Sequence, residues 1–309
     1  MKDKLKIVFV GTPDMGLVCL SNLLEKNFDI VAVVPPSKDN DAYFCFKTFV
    51  ESKKLNLLDF IDSPNEKNYI EKIKNLNADI GVCCSYNTKL SKEFLNTTRL
   101  GYINCHPSLL PQYRGAMPYF HIINNGEQFS GITLHFMDET FDTGDIIYQE
   151  KFELQNRETM GILFNRTTYM LSSALIKVLS DLQEGREIKR YPQKSVDKII
   201  KAPKIDGNFR LDFSQNVESI DRLIRACNPF FGVYTTFRGV NFKILKAHVF
   251  EKNSFCDFGR ITKANNENLV VQCKGGSLSL DVFQVGTWGL FLPDDFYNTF
   301  TPLESEFLV

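Results

Sequence analysis

An amide and an imidazole stand two residues apart in the segment INCHPSLLPQYRG, residues 103–115. Because side chains alternate between the faces of a strand, Asn104 and His106 at a predicted strand end should leave the same face. The carboxyl end of a parallel strand is also where open α/β sheets bind ligands. An amide that donates, beside an imidazole that donates or shuttles a proton, suits a developing oxyanion. Taken alone, the pair also fits a structural role.

A second polar segment, MDETFDTGDII at residues 137–147, follows another predicted strand and is rich in carboxylates. A carboxylate brought beside His106 would fix the imidazole tautomer or raise its pKa, as acid–base chemistry near neutral pH requires. The alternative is a polar turn closed by Asx-type hydrogen bonds. Four residues grouped around Gly144 leave both interpretations open: Asp138, Glu139, Asp142 and Asp145.

The chain lacks the sequence fingerprints of two classes of nucleotide-binding enzyme, dinucleotide-dependent dehydrogenases and P-loop NTPases. GTPDMG at residues 11–16 is neither GxGxxG nor a P-loop ending in GK[ST], so it predicts a tight strand-to-helix turn. The remaining histidines lie on a predicted helix, in a strand and in the second half of the chain. We predict structural roles for these three, His121, His135 and His248.

The first half of the chain alternates short apolar runs with helical patterns, which is typical of βαβ units and a parallel sheet. We therefore predict an α/β fold with a Rossmann-like, mostly parallel sheet. Apolar runs lie at 6–10, 29–34, 55–60, 79–84, 100–105, 131–137 and 146–154, and helical patterns near 17–24, 42–53, 65–76 and 158–184.

The second half has a different texture. Gly185 is placed to end the long helix, and a polar segment with two prolines follows. Beyond it, β-like runs separated by turn residues predict a small, OB-like β-barrel or a sandwich. The predicted organisation is a catalytic domain at 1–188, a linker at 189–203 and a barrel domain at 204–309.

Composition is that of a globular protein, with 43% hydrophobic and 24% charged residues among 309. No apolar run reaches the ~18 residues of a membrane helix, and none has the form of a signal peptide. We therefore expect a cytoplasmic protein without a membrane partner. Eight cysteines without a CxxC pair predict small buried side chains in a reducing compartment and no metal site.

Three segments in this order, FVGTPD, INCHPSLLPQYRG and GITLHFMDETFDTGDII, resemble the folate-dependent formyltransferase family. Two later segments, IIKAPKIDGNFRLDF and LIRACNPFFGVYTTFRG, are similar to the carboxy-terminal barrel of methionyl-tRNA formyltransferases. The enzyme that formylates UDP-4-amino-4-deoxy-L-arabinose carries a similar domain. Together the segments span residues 5 to about 285.

The resemblance implies an N-formyltransferase that uses 10-formyltetrahydrofolate as donor. It places the family's catalytic residues on Asn104, His106 and Asp142: the first two stabilise the oxyanion, and Asp142 supports His106 and helps to relay the proton. It also implies a folate pocket formed by Thr88, Lys89, Leu90, Ser108, Leu109, Leu110, Pro111, Asp138, Glu139 and Thr140.

The distribution of charged residues indicates which amine accepts the formyl group. Where the tRNA enzymes look to carry a basic loop, this chain reads VVPPSKDNDAYFCF, with Lys38 countered by Asp39 and Asp41. Residues 204–309 hold 11 Lys and Arg against 12 Asp and Glu. Because phosphate contacts dominate nucleic-acid affinity, a tRNA-binding surface should show an excess of basic residues, and this segment shows none. We therefore predict the amine of a nucleotide-linked amino sugar, with initiator methionyl-tRNA as the alternative. A 10-formyltetrahydrofolate hydrolase and a silent folate-binding module are lesser alternatives, and a homodimer is left open.

Overall fold

The computed structural model describes residues 4–36, 43–86, 88–194, 199–203 and 209–309. The chain divides into two compact units. The first comprises Met1–Pro118, Phe129–Glu153 and Phe164–Lys201, and the second comprises Tyr119–Gln128, Leu154–Leu163 and Ala202–Val309. Two short segments thus group with the carboxy-terminal half although they lie within residues 1–188.

The first unit is built on a six-stranded sheet of order β2-β1-β3-β4-β5-β6. The predicted mostly parallel α/β sheet is confirmed, because β1 pairs in parallel with β2 and β3, and β3 with β4. Strand β5 runs antiparallel to β4, and β6 to β5. The apolar run at 55–60 contributes one isolated bridge, from Leu57 to Val33. The strands are β1 Lys6–Gly11, β2 Asp29–Val34, β3 Ile80–Cys84, β4 Tyr102–His106, β5 Phe129–Phe136 and β6 Ile146–Glu153.

Helices follow most of these strands, close to the predicted positions. The 24-residue helix Met160–Gln183 ends before Gly185, whose φ of 77° suits glycine. The helices are α1 Met15–Glu25, α2 Phe44–Ser52, α3 Lys67–Lys74, α4 Lys92–Leu95, α5 Pro118–Asn125 and α6 Met160–Gln183.

Two strands at the centre of this sheet show how closely it is packed. All five residues of β3 are buried, as expected of a parallel strand covered on both faces. A Cβ at Gly81 would lie 1.9 Å from the ring of Tyr102 on the neighbouring strand, so only glycine fits there. This close approach fixes β4, whose last residues carry Asn104 and His106.

The second unit contains an antiparallel sheet of order β7-β8-β11-β10-β9, with β12 paired to β11. The carboxy-terminal residues bridge both of its edges: Leu308 pairs with Phe237 of β7, and Phe307 pairs with Arg260 beside β9. These pairings connect the two edges of the sheet and close it into a small barrel. Its elements are α7 Val217–Cys227, β7 Val233–Phe237, β8 Val240–Glu251, β9 Ile261–Ala264, β10 Leu269–Cys273, β11 Gly276–Val285, β12 Gly289–Phe291 and α8 Pro293–Phe300.

Among the described residues, no helix combines the length and apolar character needed to cross a bilayer.

Closure of the barrel by its last residues predicts the effect of one core substitution. Leu308 is 2% exposed, so Leu308→Ala should lower the free energy of unfolding of this unit by ~2–5 kcal/mol. Urea unfolding can be followed by Trp288, the single tryptophan of the chain, whose ring stacks on Phe300. The control is Leu303→Ala at a 60% exposed position, expected within ~0.5 kcal/mol of the parent. Equal effects of the two substitutions would contradict the proposed closure.

Candidate active site

Three side chains predicted to carry the chemistry meet at the carboxyl end of β4. Asn104 and His106 lie on this strand, and Asp142 lies on the turn between β5 and β6. The antiparallel register adds a fourth group, because His135 of β5 is the direct partner of Asn104. The structure therefore brings together two imidazoles, one amide and one carboxylate.

The amide of Asn104 donates both of its hydrogens within this cluster. Its Nδ2 lies 3.1 Å from Asp142 Oδ1 and 3.1 Å from His135 Nε2. His135 can accept this hydrogen because its other nitrogen, Nδ1, donates to the Phe136 carbonyl at 2.8 Å. The same contact fixes the His135 tautomer. An oxyanion would thus have to compete for a hydrogen of Asn104 that already has a partner.

His106 is buried between the Tyr113 carbonyl on one side of its ring and Asp142 on the other. Its Nε2 donates to the Tyr113 carbonyl at 2.9 Å, and its Nδ1 lies 3.6 Å from Asp142 Oδ1. Burial lowers the pKa of His106, and the Asp142 charge only partly restores it. The ring is therefore neutral near pH 7, with the Nδ1 lone pair facing the carboxylate. Protonation at Nδ1 would create an ion pair with Asp142.

Asp142 is the common partner of the cluster. Its Oδ2 accepts the Gly115 backbone N–H at 2.9 Å, and its Oδ1 lies 3.6 Å from His135 Nε2. Burial alone would raise the pKa of Asp142. His106 and His135, when they carry a positive charge, lower this pKa, and so does the Gly115 hydrogen bond. Together these contributions outweigh burial, and the pKa of this carboxyl lies well below its usual range. Asp142 is therefore ionised at neutral pH, although only 11% of its side chain is exposed.

The turn that carries Asp142 is closed by its own polar side chains. Asp138 Oδ1 accepts from the Thr140 backbone N–H at 2.9 Å and from Thr143 Oγ1 at 2.6 Å, so Asp138 has the Asx-turn role considered above. Gly144 packs so tightly that a Cβ there would lie 1.9 Å from the Phe136 carbonyl oxygen. Asp142 itself has φ 58°, a left-handed conformation that aspartate tolerates.

A solvent-open cleft of about 420 Å³ lies over this cluster. Its lining combines apolar side chains with a few polar groups, as small-molecule sites commonly do. His106 is not among its described lining residues, so Asp142 connects the cleft with the buried imidazole. The lining residues are Cys83, Tyr86, Thr88, Lys89, Leu90, Asn104, His135, Met137, Asp138, Thr140, Phe141 and Asp142.

The predicted folate residues divide into two groups. Thr88, Lys89, Leu90, Asp138 and Thr140 line the cleft, whereas Glu139 lies on the surface beside Lys92 at 3.8 Å. The segment Ser108, Leu109, Leu110 and Pro111 is not part of the described lining.

The loop after β4 is instead tied to the neighbouring strands. Thr133 Oγ1 donates to the Ser108 carbonyl at 2.6 Å and accepts the Leu110 N–H at 3.2 Å. Gln149 Nε2 donates to the Leu110 carbonyl at 2.8 Å. These bonds fix the path of the chain between His106 and Gly115, two of the positions that contact Asp142.

The sequence does not predict a role in the site for two further residues, His135 and Asn65. The sequence predicts only a structural role for His135, because nothing local to a strand reveals an antiparallel register opposite Asn104. Asn65 lies in a loop far from any motif, yet it donates to the Lys89 carbonyl at 2.8 Å and accepts the Ser91 N–H at 2.7 Å. It thereby holds one wall of the cleft.

The fold also assembles three buried thiols from distant positions. Cys19, Cys84 and Cys105 place their Sγ atoms within 4.8 Å of one another. Strand alternation turns Cys105 away from the face of Asn104 and His106. Three thiolates could ligate a soft metal ion, an arrangement that the sequence spacing does not reveal. The expected absence of a metal stays a prediction.

Comparison with known proteins decides the family. Residues 5–179 match the family model described as formyl transferase, and residues 204–299 match formyl transferase, C-terminal domain. The chain belongs to the formyl transferase family. The predicted enzyme class, a folate-dependent formyltransferase, is thereby confirmed.

Curated relatives of this formyltransferase align over almost its whole length. The methionyl-tRNA formyltransferase of Clostridioides difficile is 33% identical over 91% of this chain and 92% of its own. The enzyme of the same name from Halothermothrix orenii is 34% identical, over 86% and 88%.

Solved structures share the fold at lower identity. WlaRD, a sugar 3N-formyl transferase, superposes with a TM-score of 0.67 at 19% identity, covering 90% of this chain and 97% of its own. The N-formyltransferase from Helicobacter canadensis gives 0.67 at 18% identity, covering 89% and 98%.

The cluster predicts how the His106 imidazole titrates. Its pKa should lie below the ordinary value of about 6.5, because burial disfavours the charged ring. Asp142→Asn should lower it further, since the nearby negative charge that favours the imidazolium is removed. With only four histidines in the chain, NMR titration can assign His106 through the loss of its signal in His106→Gln. A pKa that rises in Asp142→Asn would contradict this electrostatic arrangement.

Proposed function

We propose that this formyltransferase moves the formyl group of 10-formyltetrahydrofolate onto the amino group of initiator methionyl-tRNA. The observation that supports this acceptor is the similarity of the chain to methionyl-tRNA formyltransferases, which extends through the carboxy-terminal half. Three such relatives are 33–34% identical to this chain over 86–91% of it. They support this alternative over the amino-sugar acceptor favoured by the charge balance.

The donor fits the cleft by its chemistry. A pterin ring needs apolar walls and a polar edge, and Leu90, Met137 and Phe141 supply the first. Thr88 and Lys89 lie beside them, on the segment held by Asn65. We assign the donor to this cleft, with its formyl group towards Asn104 and Asp142.

The reaction exchanges one carbon–nitrogen bond for another. The neutral amine attacks the formyl carbon, and a tetrahedral intermediate forms with negative charge on the former carbonyl oxygen. The bond from carbon to N10 of the folate then breaks. The proton lost by the amine ends on N10, so no net proton is released.

Asn104 stabilises the oxyanion when one of its two amide hydrogens turns from His135 or Asp142 to the formyl oxygen. Asp142 lines the cleft and contacts His106, so it can pass the amine proton to Nδ1 of the neutral ring. The resulting imidazolium is stabilised by the same carboxylate. His106 then returns the proton towards the leaving nitrogen.

A nucleotide-linked amino sugar is the second candidate acceptor. The observation that favours it is charge, because residues 204–309 lack the basic excess expected of a surface that neutralises phosphates. The acidic residues that counter Lys38 belong to residues 37–42, which lie outside the described part of the chain. Small-amine chemistry would require the same cluster around Asp142.

A transfer assay separates the two acceptors. The enzyme would be given 10-formyltetrahydrofolate with charged initiator tRNA in one arm and nucleotide-linked 3-amino and 4-amino sugars in another. We expect folate release that depends on methionyl-tRNA and weakens steeply with added salt. Release with amino sugars alone would replace the tRNA proposal, and release without any amine would indicate a hydrolase.

Two substitutions test the roles assigned to the polar cluster. Asn104→Ala and His106→Ala should each lower kcat by ~10²-fold or more, because an oxyanion donor or the proton relay is lost. The control is His248→Ala, at a half-exposed histidine that pairs with Asp281 in the second unit. Wild-type turnover in either cluster variant, with the fold verified by circular dichroism, would rule out the mechanism.

A further inference from the structure

Arg114 is a buried cation next to the catalytic turn. It is only 5% exposed, and within the described part of the chain no carboxylate forms an ion pair with it. Its guanidinium points instead at one neutral side chain: Nε and Nη2 donate to Gln193 Oε1 at 3.2 and 2.6 Å. Nη2 also reaches the Lys194 carbonyl at 3.3 Å. A buried charged group is normally stabilised by hydrogen bonds or by an ion pair.

Gln193 passes this contact on to the turn that carries Asp142. Its Nε2 donates to the backbone carbonyls of Asp142 at 3.0 Å and Gly144 at 2.7 Å. The side-chain amide can adopt only this orientation, because a flipped amide would set Nε2 against the guanidinium and Oε1 against two carbonyls. Arg114 thus fixes Gln193, and Gln193 fixes the backbone of Asp142.

Tyr191 and Ile200, which flank Gln193 in sequence, also hold backbone on both sides of the Asp142 turn. Gly115, the residue after Arg114, donates its N–H to Asp142 Oδ2 and is bridged by Ile200. Tyr191 exchanges backbone hydrogen bonds with Ile146 at the start of β6. The segment predicted as a linker is therefore docked at two points beside the catalytic turn, with Gln193 between them.

We infer that Arg114 and Gln193 are positioning residues for formyl transfer, which act by holding the Asp142 carboxylate against His106 and Asn104. The inference rests on the proposed function, which gives Asp142 its part in the reaction. Neither residue lines the described cleft, so they act through Asp142 and not on substrate. Small misplacements of a catalytic group are enough to reduce turnover by ~10²-fold.

Two substitutions of Gln193 separate positioning from support of the fold. Gln193→Glu keeps an oxygen acceptor for Arg114 and loses both donors to the turn. Gln193→Leu loses both kinds of bond without adding charge. We expect kcat to fall about 10-fold to 100-fold in each, with KM for the folate donor little changed. In Gln193→Glu one carboxylate oxygen still pairs with the Arg114 guanidinium, but the other faces the Asp142 and Gly144 carbonyls. Its melting temperature should therefore fall less than that of Gln193→Leu, which loses both kinds of bond.

The matched control is Gln183→Leu. Gln183 is also half-buried in the first unit, and its Oε1 accepts a hydrogen bond from the Leu5 N–H at 3.3 Å, just before β1. Its loss should leave kcat unchanged. Equal losses of activity at positions 183 and 193 would mean that Gln193 only supports the fold.

Non-additivity gives the sharper readout. In an Asp142→Ala background, Gln193→Leu should lower the residual rate no further, because the group it positions is absent. A purely structural role would reduce the rate by the same factor in both backgrounds. That result would overturn the inference.

The state of His106 supplies a readout that needs no substrate. The titratable groups that act on its pKa are Asp142 and His135. If Asp142 shifts in Gln193→Leu, the His106 pKa measured by NMR should fall towards its value in Asp142→Asn. An unchanged pKa would overturn the inference even where transfer to both acceptors has failed. Conversely, a shifted pKa without transfer by the wild type would leave positioning intact and reject the proposed function.

Discussion

The structure of the site depends on one buried carboxylate that must remain charged. Asp142 is largely shielded from water, so its charge must be balanced by donors and polarisable rings. Gly115 N–H and the Asn104 amide supply the donors, and two imidazoles lie at 3.6 Å. Each partner is in turn oriented by a backbone carbonyl or by the other members of the cluster. Moving the carboxylate would leave several buried polar groups unsatisfied, which explains why so much backbone is devoted to holding it.

Backbone geometry supplies the rest of that constraint. The turn of Asp142 lies against β5 at Gly144, where any side chain would strike the Phe136 carbonyl. On the other side, Gly115 has φ 108°, and a Cβ there would lie 2.2 Å from the Ile200 carbonyl oxygen. Both glycines permit close approach of two backbones, and the carboxylate lies between the segments that they bring together. The constraint therefore joins β4, the turn after β5 and the segment beyond α6.

Features that depend on local pattern could be predicted from the sequence, and features that depend on distant pairing could not. Short apolar runs located β1 to β6, a period-3.6 pattern located the long helix, and strand alternation placed Asn104 and His106 on one face. The choice of Asp142 among four carboxylates needed the family resemblance. The contact of His135 depends on an antiparallel register, and that of Gln193 on a residue within the segment predicted as a linker. Both contacts join positions that no local pattern connects, 31 residues apart for His135 and Asn104 and 51 residues apart for Gln193 and Asp142.

The acceptor shows the limit of net charge as evidence. A nucleic acid responds to the local arrangement of Lys and Arg, so a neutral total excludes only a uniformly basic surface. Shared fold does not decide the question either, because sugar N-formyltransferases superpose on this chain at below 20% identity. Identity of about one third across both halves is the more specific observation, since it includes the barrel as well as the polar cluster around Asp142. The reaction proposed for the cluster around Asp142 requires only an uncharged amine near the formyl carbon. Selection between a tRNA-borne and a sugar-borne amine must therefore arise from residues outside it.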